Sequence, residues 1–306
     1  MEEENREPYH FLGILENVTE TVTKLSLKYN FQITSISYRD LENILLPIAG
    51  DGYQFSCVYD HLFDYFEKYG RHDKYVIITN IFPKEQADSI IELVDSYLIP
   101  KINLMRLFKV GNIKLIWYCI HENIEPEDLG AVEAVGSEYE AEIIYPQDTS
   151  IYSITEDEVK DLQLFIDEND ETFSHDYINL AYNTYQKTYE INDPNISFLI
   201  SMIGMEVLFN PGNSEITHRV SRDAAVILGK DRADSIDIFK KMIKLYKIRS
   251  NIVHGDILKT LKSEDIEILR QYLSDSIKQT IKINKNHDEL YALLDELGFG
   301  QRPWIT

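Results

Sequence analysis

Near residue 150 the apolar residues of this chain change their period, and with it the kind of layer they can build. From Ile151 onward they recur at spacings of three and four, with short polar breaks between runs. Thr155 and Glu158, three apart, have the form of a capping box and open a predicted helix that reaches about Ile166. The next runs from His175 to about Tyr189, with Ile178, Ala181, Tyr182, Tyr185 and Tyr189 along one side. Asp193 and Pro194 pair an N-cap with proline at the first helical position. The helix they start carries Phe198, Leu199, Met202, Ile203, Met205 and Leu208, and ends near Asn210 to Gly212. Further helices are predicted from Ser214 or Glu215 to Leu228, stopped by Gly229, and from Ser235 to about His254, with Gly255 as the C′ residue. Ser263 to about Ile283 and Asp288 to Leu297 complete the series. Amphipathic helices joined by short loops favour an antiparallel bundle.

Residues 1–150 have a different texture. Asn30 to Tyr38 is dense in β-branched residues, Lys74 to Asn80 contains the consecutive run Val76 to Thr79, and Lys114 to His121 follows the turn signal Gly111-Asn112. All three are predicted strands. Tyr53 to Tyr69 and Lys84 to Leu107 have helical spacing, the second broken into two pieces by Pro100. Gly50 to Gly52 is a turn, and the half contains no phosphate-binding glycine loop. The expected class is therefore α+β: a mixed α/β domain over 1–150 followed by an all-α bundle over 151–306.

The stretch Leu245–Gly255 (LYKIRSNIVHG) is the richest in chemistry. It places a fixed cation, Arg249, and the side chain that exchanges protons near neutral pH, His254, at the end of a predicted helix. Such a pair supplies a base for a ribose 2′-hydroxyl and a positive partner for a phosphate, with no metal. At 100° per residue, Met242, Leu245, Ile248, Ile252 and Val253 share a broad face directed at the bundle. Ser250, Asn251 and His254 fall on the other side, and Ser250 and His254 are neighbours at a spacing of four. Arg249 lies about 140° from His254, so one helix does not set them side by side. Either Arg249 reaches round on its long stem or a second copy of the helix completes the pair. Two plainer roles fit the same residues: a histidine in a last turn favours the helix dipole, and Arg249 can pair with Glu206 inside the bundle.

Charge weighs against a polyanionic ligand. The formal net charge is −22, with 12 basic and 26 acidic residues in 1–150 and 18 and 26 in 151–306. The sign reverses locally: Arg219, Arg222, Lys230, Arg232, Lys240, Lys241, Lys244, Lys247 and Arg249 face only four aspartates. Screening over about 8 Å at physiological salt lets such a patch act independently of the acidic body. Lysines on a solvated helix face give the same composition without any ligand. Cys57 and Cys119 are too few and too far apart for a metal knuckle or a disulfide framework, and are expected as buried, reduced thiols. No apolar run is long enough to span a bilayer and no signal peptide is evident, so a cytoplasmic protein without membrane contact is expected. Disorder is expected only at the acidic start, Met1 to Glu7.

The stretch around Arg249 and His254 resembles the R-x4-6-H motif of HEPN domains, and its wording is most similar to the Apea-like HEPN family. Ile196–Phe209 (ISFLISMIGMEVLF) resembles that family's helix with an acidic residue, Glu206, before an apolar pair, and His218–Gly229 (HRVSRDAAVILG) resembles its next helix. The three blocks stand in the family's order across roughly 178–285, about a third of the chain. The resemblance implies a HEPN bundle that dimerises so that two R-x4-H motifs line one cleft. There His254 acts as general base or acid, Arg249 stabilises the phosphorane, and the products carry a 2′,3′-cyclic phosphate and a 5′-hydroxyl. Ser250, Asn251, Glu206 and Tyr246 are the supporting or substrate-binding candidates, and Arg219, Arg222 and Lys247 the phosphate-binding ones. No metal or cofactor is implied. The expected partners are RNA, with tRNA among the targets, a second copy of the chain or a higher homo-oligomer, and a protein or phage-derived trigger, in antiphage abortive infection. The contrasting expectations are a non-catalytic module that dimerises and binds a protein, and a nucleotide-binding regulatory domain. His10, His61, His72, His121, His175 and His287 show no ligand spacing, and His218 is read as a surface or packing residue.

Overall fold

The computed structural model describes residues 8–48, 66, 72–122, 150–170, 172–210, 212, 215–255 and 261–298. Cys57, His61, the Gly50 to Gly52 turn, the helix expected over Tyr53 to Tyr69 (Phe66 apart) and the acidic start lie outside them. The class is α+β, as the two textures require. The chain divides into two compact units, Met1–Arg106 with Gly111–Asn169, and Leu107–Val110 with Asp170–Thr306.

The first unit is built on a four-stranded sheet in the order β2-β3-β1-β4, where β1 is Tyr9–Glu16, β2 Gln32–Ser37, β3 Lys74–Phe82 and β4 Lys114–Glu122. Every pairing is antiparallel. The three expected strands are all present, but β1, one of the two inner strands, was not among them. Its residues are buried on both faces, so the sequence lacks the in–out alternation that marks a half-buried strand. Leu12 and Ile14 face α1 (Tyr38–Ile48), clustering with Leu41, Leu45, Phe66, Ile77 and Trp117. Phe11 meets Phe31 edge-on and stacks on Tyr118. The register slips by one residue between Ile14 and Leu15, leaving Ile116 as a bulge in β4.

Pro100 does not cut its helix where it stands. It is the second residue of α3 (Ile99–Phe108), which follows without a gap from the turn before it: Ile99 N–H still bonds to Val94 O, and proline, with no N–H of its own, loosens that turn. The interruption lies upstream, in one wide turn at Val94–Leu98 that joins α3 to α2 (Ala87–Leu93). Lys101 on α3 is buried, and its ammonium donates to Ile166 O at 2.7 Å and Asn169 O at 2.8 Å, closing the C-terminus of α4 (Glu158–Glu168). At the other end of α4 the Glu158 carboxylate accepts the Thr155 N–H at 2.8 Å, one arm of the expected capping box.

The second unit contains α5 (Asp176–Lys187), α6 (Pro194–Phe209), α7 (Ile216–Leu228), α8 (Arg232–Val253), α9 (Ser263–Ile283) and α10 (His287–Gly298). Asp193 caps α6 as read, its carboxylate accepting the N–H groups of Asn195 at 2.8 Å and Ile196 at 3.2 Å. The core joins Tyr182 and Tyr185 to Phe198, Met202, Met205, Met242, Leu245, Leu269 and Leu273, all buried. α6 and α9 approach so closely at Gly204 that a β-carbon there would lie 2.7 Å from Leu273 Cδ2. α8 starts at Arg232, earlier than the expected Ser235, because the Asp231 carboxylate accepts the Asp234 N–H at 2.9 Å. α7 and α8 form an antiparallel hairpin, with His218 near the start of α7 against Phe239 of α8. At 22 residues against 13, α8 runs on past the start of α7. The overhang carries Arg249 and His254.

Candidate nuclease site

Met242, Leu245, Ile248 and Ile252 turn inward and are buried, so the apolar face of α8 falls where the spacing put it. Val253 departs from that face. It is 57 % exposed, because it closes the helix in a turn where His254 and Gly255 are exposed too, and azimuth alone does not bury it. His254 is the C-cap, its N–H bonded to Ser250 O at 3.0 Å, and Gly255 follows at φ +85° as the C′ glycine. The imidazole is thus presented to solvent at the end of the helix that anchors it. Ser250 is exposed and Asn251 half-buried.

Arg249 is drawn the other way. Its Nε lies 3.3 Å from Glu206 Oε1 on α6, with the two side chains 35 % and 19 % exposed. The Tyr246 hydroxyl donates to the same oxygen at 3.4 Å. Burial, with the neighbouring carboxylate adding to it, pushes the Tyr246 phenol well up, so it serves as a neutral donor and not as a base. Glu206 therefore steers one edge of the guanidinium while the rest reaches solvent, which leaves donors for a phosphate oxygen. No hydrogen bond or ion pair among the described residues joins His254 to Arg249, Glu206 or Tyr246. The structure thus brings Arg249, Tyr246 and Glu206 together and leaves His254 apart.

The basic patch separates into held and open cations. Lys241 pairs with Asp237 at 2.8 Å and Lys244 with Asp265 at 3.3 Å. Arg222 donates from Nη1 to Asp223 and Asp295, each at 2.9 Å, and from Nη2 to Leu294 O at 3.4 Å, binding α10 to α7. Its guanidinium is committed to these partners, which sets it apart from Lys247, exposed on α8, and Arg219, half-exposed on α7. Among the described residues no group of three His, Cys, Asp or Glu side chains is placed to hold a metal ion. No helix among them is long and apolar enough to cross a membrane.

Asp223 carries a consequence for stability. Burial lifts its carboxyl from an ordinary value near 3.8 to about 6, against the pull of Arg222. A carboxyl that holds its proton more tightly in the fold stabilises it fully below about pH 4, and that contribution is lost as pH rises to about 6. Asp223→Asn is expected to remove this dependence and to be the more stable protein at pH 7.5, by on the order of 1–3 kcal/mol. Urea unfolding at pH 4 and pH 7.5 measures it. A variant that loses more stability at pH 7.5 than at pH 4 would show the ion pair with Arg222 to dominate.

Comparison of the chain with protein-family models, with curated proteins and with solved structures returned no match.

Proposed function

We propose that the chain is a metal-independent endoribonuclease of HEPN type, acting as a dimer, cytoplasmic and prokaryotic, in antiphage abortive infection. The observation that carries the chemistry is the pair on α8: an exposed imidazole at the helix end and, one turn back, a guanidinium steered by Glu206 with donors to spare. In the reaction His254 takes the proton of the 2′-hydroxyl, the 2′-oxygen bonds to phosphorus, and the P–O5′ bond breaks. The 5′-oxygen leaves with a proton from a second imidazole, and Arg249 neutralises charge on the equatorial oxygens. The separation of about 140° between Arg249 and His254 favours a site shared by two protomers. Surface chemistry supports that arrangement. Exposed Ile203 stands three residues before Glu206, and exposed Val253 four after Arg249, so the ion pair is flanked by apolar surface suited to a second copy.

The test is chemical. Purified protein incubated with total RNA and tRNA in excess chelator is expected to yield fragments ending in 2′,3′-cyclic phosphate and 5′-hydroxyl. Products bearing 5′-phosphates, or cleavage that stops with chelator, would sink the proposal.

A second reading has its own support. The Arg249–Glu206 contact serves equally well as an inter-helix brace, and the net charge of −22 disfavours RNA. On that reading the bundle is a non-catalytic module that dimerises and binds a protein or nucleotide partner, and no RNA is cut under any trigger.

A further inference from the structure

Beside α8, at the start of α7, is an open cavity of about 610 Å³ lined by Glu215, Ile216, Thr217, His218 and Ile243. Its volume is in the range of small-ligand sites, about 300–1,000 Å³. Ile216 and Ile243 are half-buried and give it apolar walls. His218 is exposed, with its ring fixed against Phe239 at 5.6 Å between centroids and 75° between planes. Glu215 and Thr217 are exposed, and neither side chain has a hydrogen-bond or ion-pair partner among the described residues.

That chemistry excludes some ligands and selects others. A carboxylate at the rim repels phosphate, so the cavity is no phosphate site. A flat, weakly polar group that stacks on the imidazole and donates N–H bonds to the carboxylate fits instead, as an unstacked nucleobase does. The bases differ at the edge they would offer. Guanine presents two N–H donors side by side, matching the two carboxylate oxygens. Adenine and cytosine offer one amino group beside an acceptor, and uracil a single N–H between two acceptors.

The cavity lies on the same side of α8 as His254. Ile243, Lys247, Ser250 and His254 lie within about 60° of arc on α8, and the rise from Ile243 to His254 is roughly 16 Å. Lys247, Ser250 and His254 are all exposed. A single strand with its scissile phosphate at His254 therefore runs over Lys247 and reaches the cavity within a few nucleotides. From this juxtaposition we infer that the cavity is a base-recognition subsite, which takes a guanine of single-stranded RNA a few nucleotides from the cleavage point. The inference rests on the reading of the protein as an RNA-cleaving enzyme, and it names that enzyme's sequence preference.

The experiment uses the full chain and 2′-O-methyl oligonucleotides, which cannot be cleaved through a 2′-hydroxyl. Hexamers of uridine with a single guanosine, adenosine or cytidine are compared with all-uridine by fluorescence anisotropy. One guanosine is expected to tighten binding about tenfold, the scale of one charge-assisted contact. Glu215→Gln and His218→Ala are expected to erase that preference, with melting temperatures as in wild type. Lys247→Ala is expected to weaken all hexamers alike and to lower the salt slope by about one. Equal binding of all four hexamers, binding of none, or a guanosine preference that survives both cavity variants would overturn the subsite. Cleavage of ordinary RNA by wild type and by His254→Ala separates the two claims. A wild type without guanosine preference, whose cleavage still depends on His254, refutes the subsite alone, whereas a preference that obeys the cavity variants, with cleavage indifferent to His254→Ala, refutes the nuclease alone.

Discussion

His254→Ala protein is expected to cleave RNA about 10²–10⁴-fold more slowly than wild type, the usual worth of a positioned proton-transfer group. Arg249→Ala should cost about 10²–10³-fold through lost charge stabilisation. Arg249→Lys should recover little, because an ammonium cannot keep one edge on Glu206 and offer another to phosphate. Neither loss should arise from unfolding, since His254 is exposed and Arg249 still reaches solvent, so thermal midpoints should stay near wild type. A mixing experiment tells a shared site from a private one. Dimers that combine one Arg249→Ala protomer with one His254→Ala protomer contain an intact pair only where the arginine of one chain meets the histidine of the other. Partial recovery of activity on mixing is the expected result, because such a dimer keeps one imidazole as base and the leaving 5′-oxygen takes its proton from water. Full activity in either single variant would remove these residues from the mechanism.

The largest effect on stability is expected at Arg270. This arginine of α9 is 5 % exposed, and its Nη2 donates to Thr188 O at 2.6 Å and to Ser197 Oγ at 3.0 Å. Its guanidinium lies 4.5 Å from the centre of the Tyr189 ring. One side chain thus fastens the turn after α5 and the first turn of α6. Arg270→Ala removes both bonds, the ring contact and the packed stem, at a cost of about 3–5 kcal/mol. Arg270→Met refills most of the space, and Thr188 O keeps the Ser197 hydroxyl at 2.9 Å, so its cost should be roughly half as large. Urea midpoints in the order wild type, Met, Ala would bear this out; two variants as stable as wild type would not.

The helices were legible because their signals are local. Asp193 with Pro194, Gly229 and Gly255 each act on the next few backbone groups, and the structure uses all three as read. Strand β1 was not legible, since its continuous burial comes from layers supplied by α1 and by the distant strands β3 and β4. Val253 was misread for a related reason: a helical wheel gives azimuth but not where neighbouring helices end. At the site, the sequence offered the Arg249–Glu206 pair that the structure shows, but not that Tyr246 joins it. The cavity beside Ile243 gave no sequence signal of its own. It arises from the antiparallel return of α7 on α8, which sets His218 and Glu215 against a residue that no motif marks.

The overhang of α8 places its two functional groups on unequal footing. Arg249 is fastened laterally to a neighbouring helix, whereas His254 follows the last helical residue, where backbone bonds open at almost no cost. Entropy therefore falls on the imidazole and not on the guanidinium. On the nuclease reading, whatever surface clamps that final turn selects the moments when the imidazole is in position, and so sets the pace of the proposed reaction without contributing an atom to it.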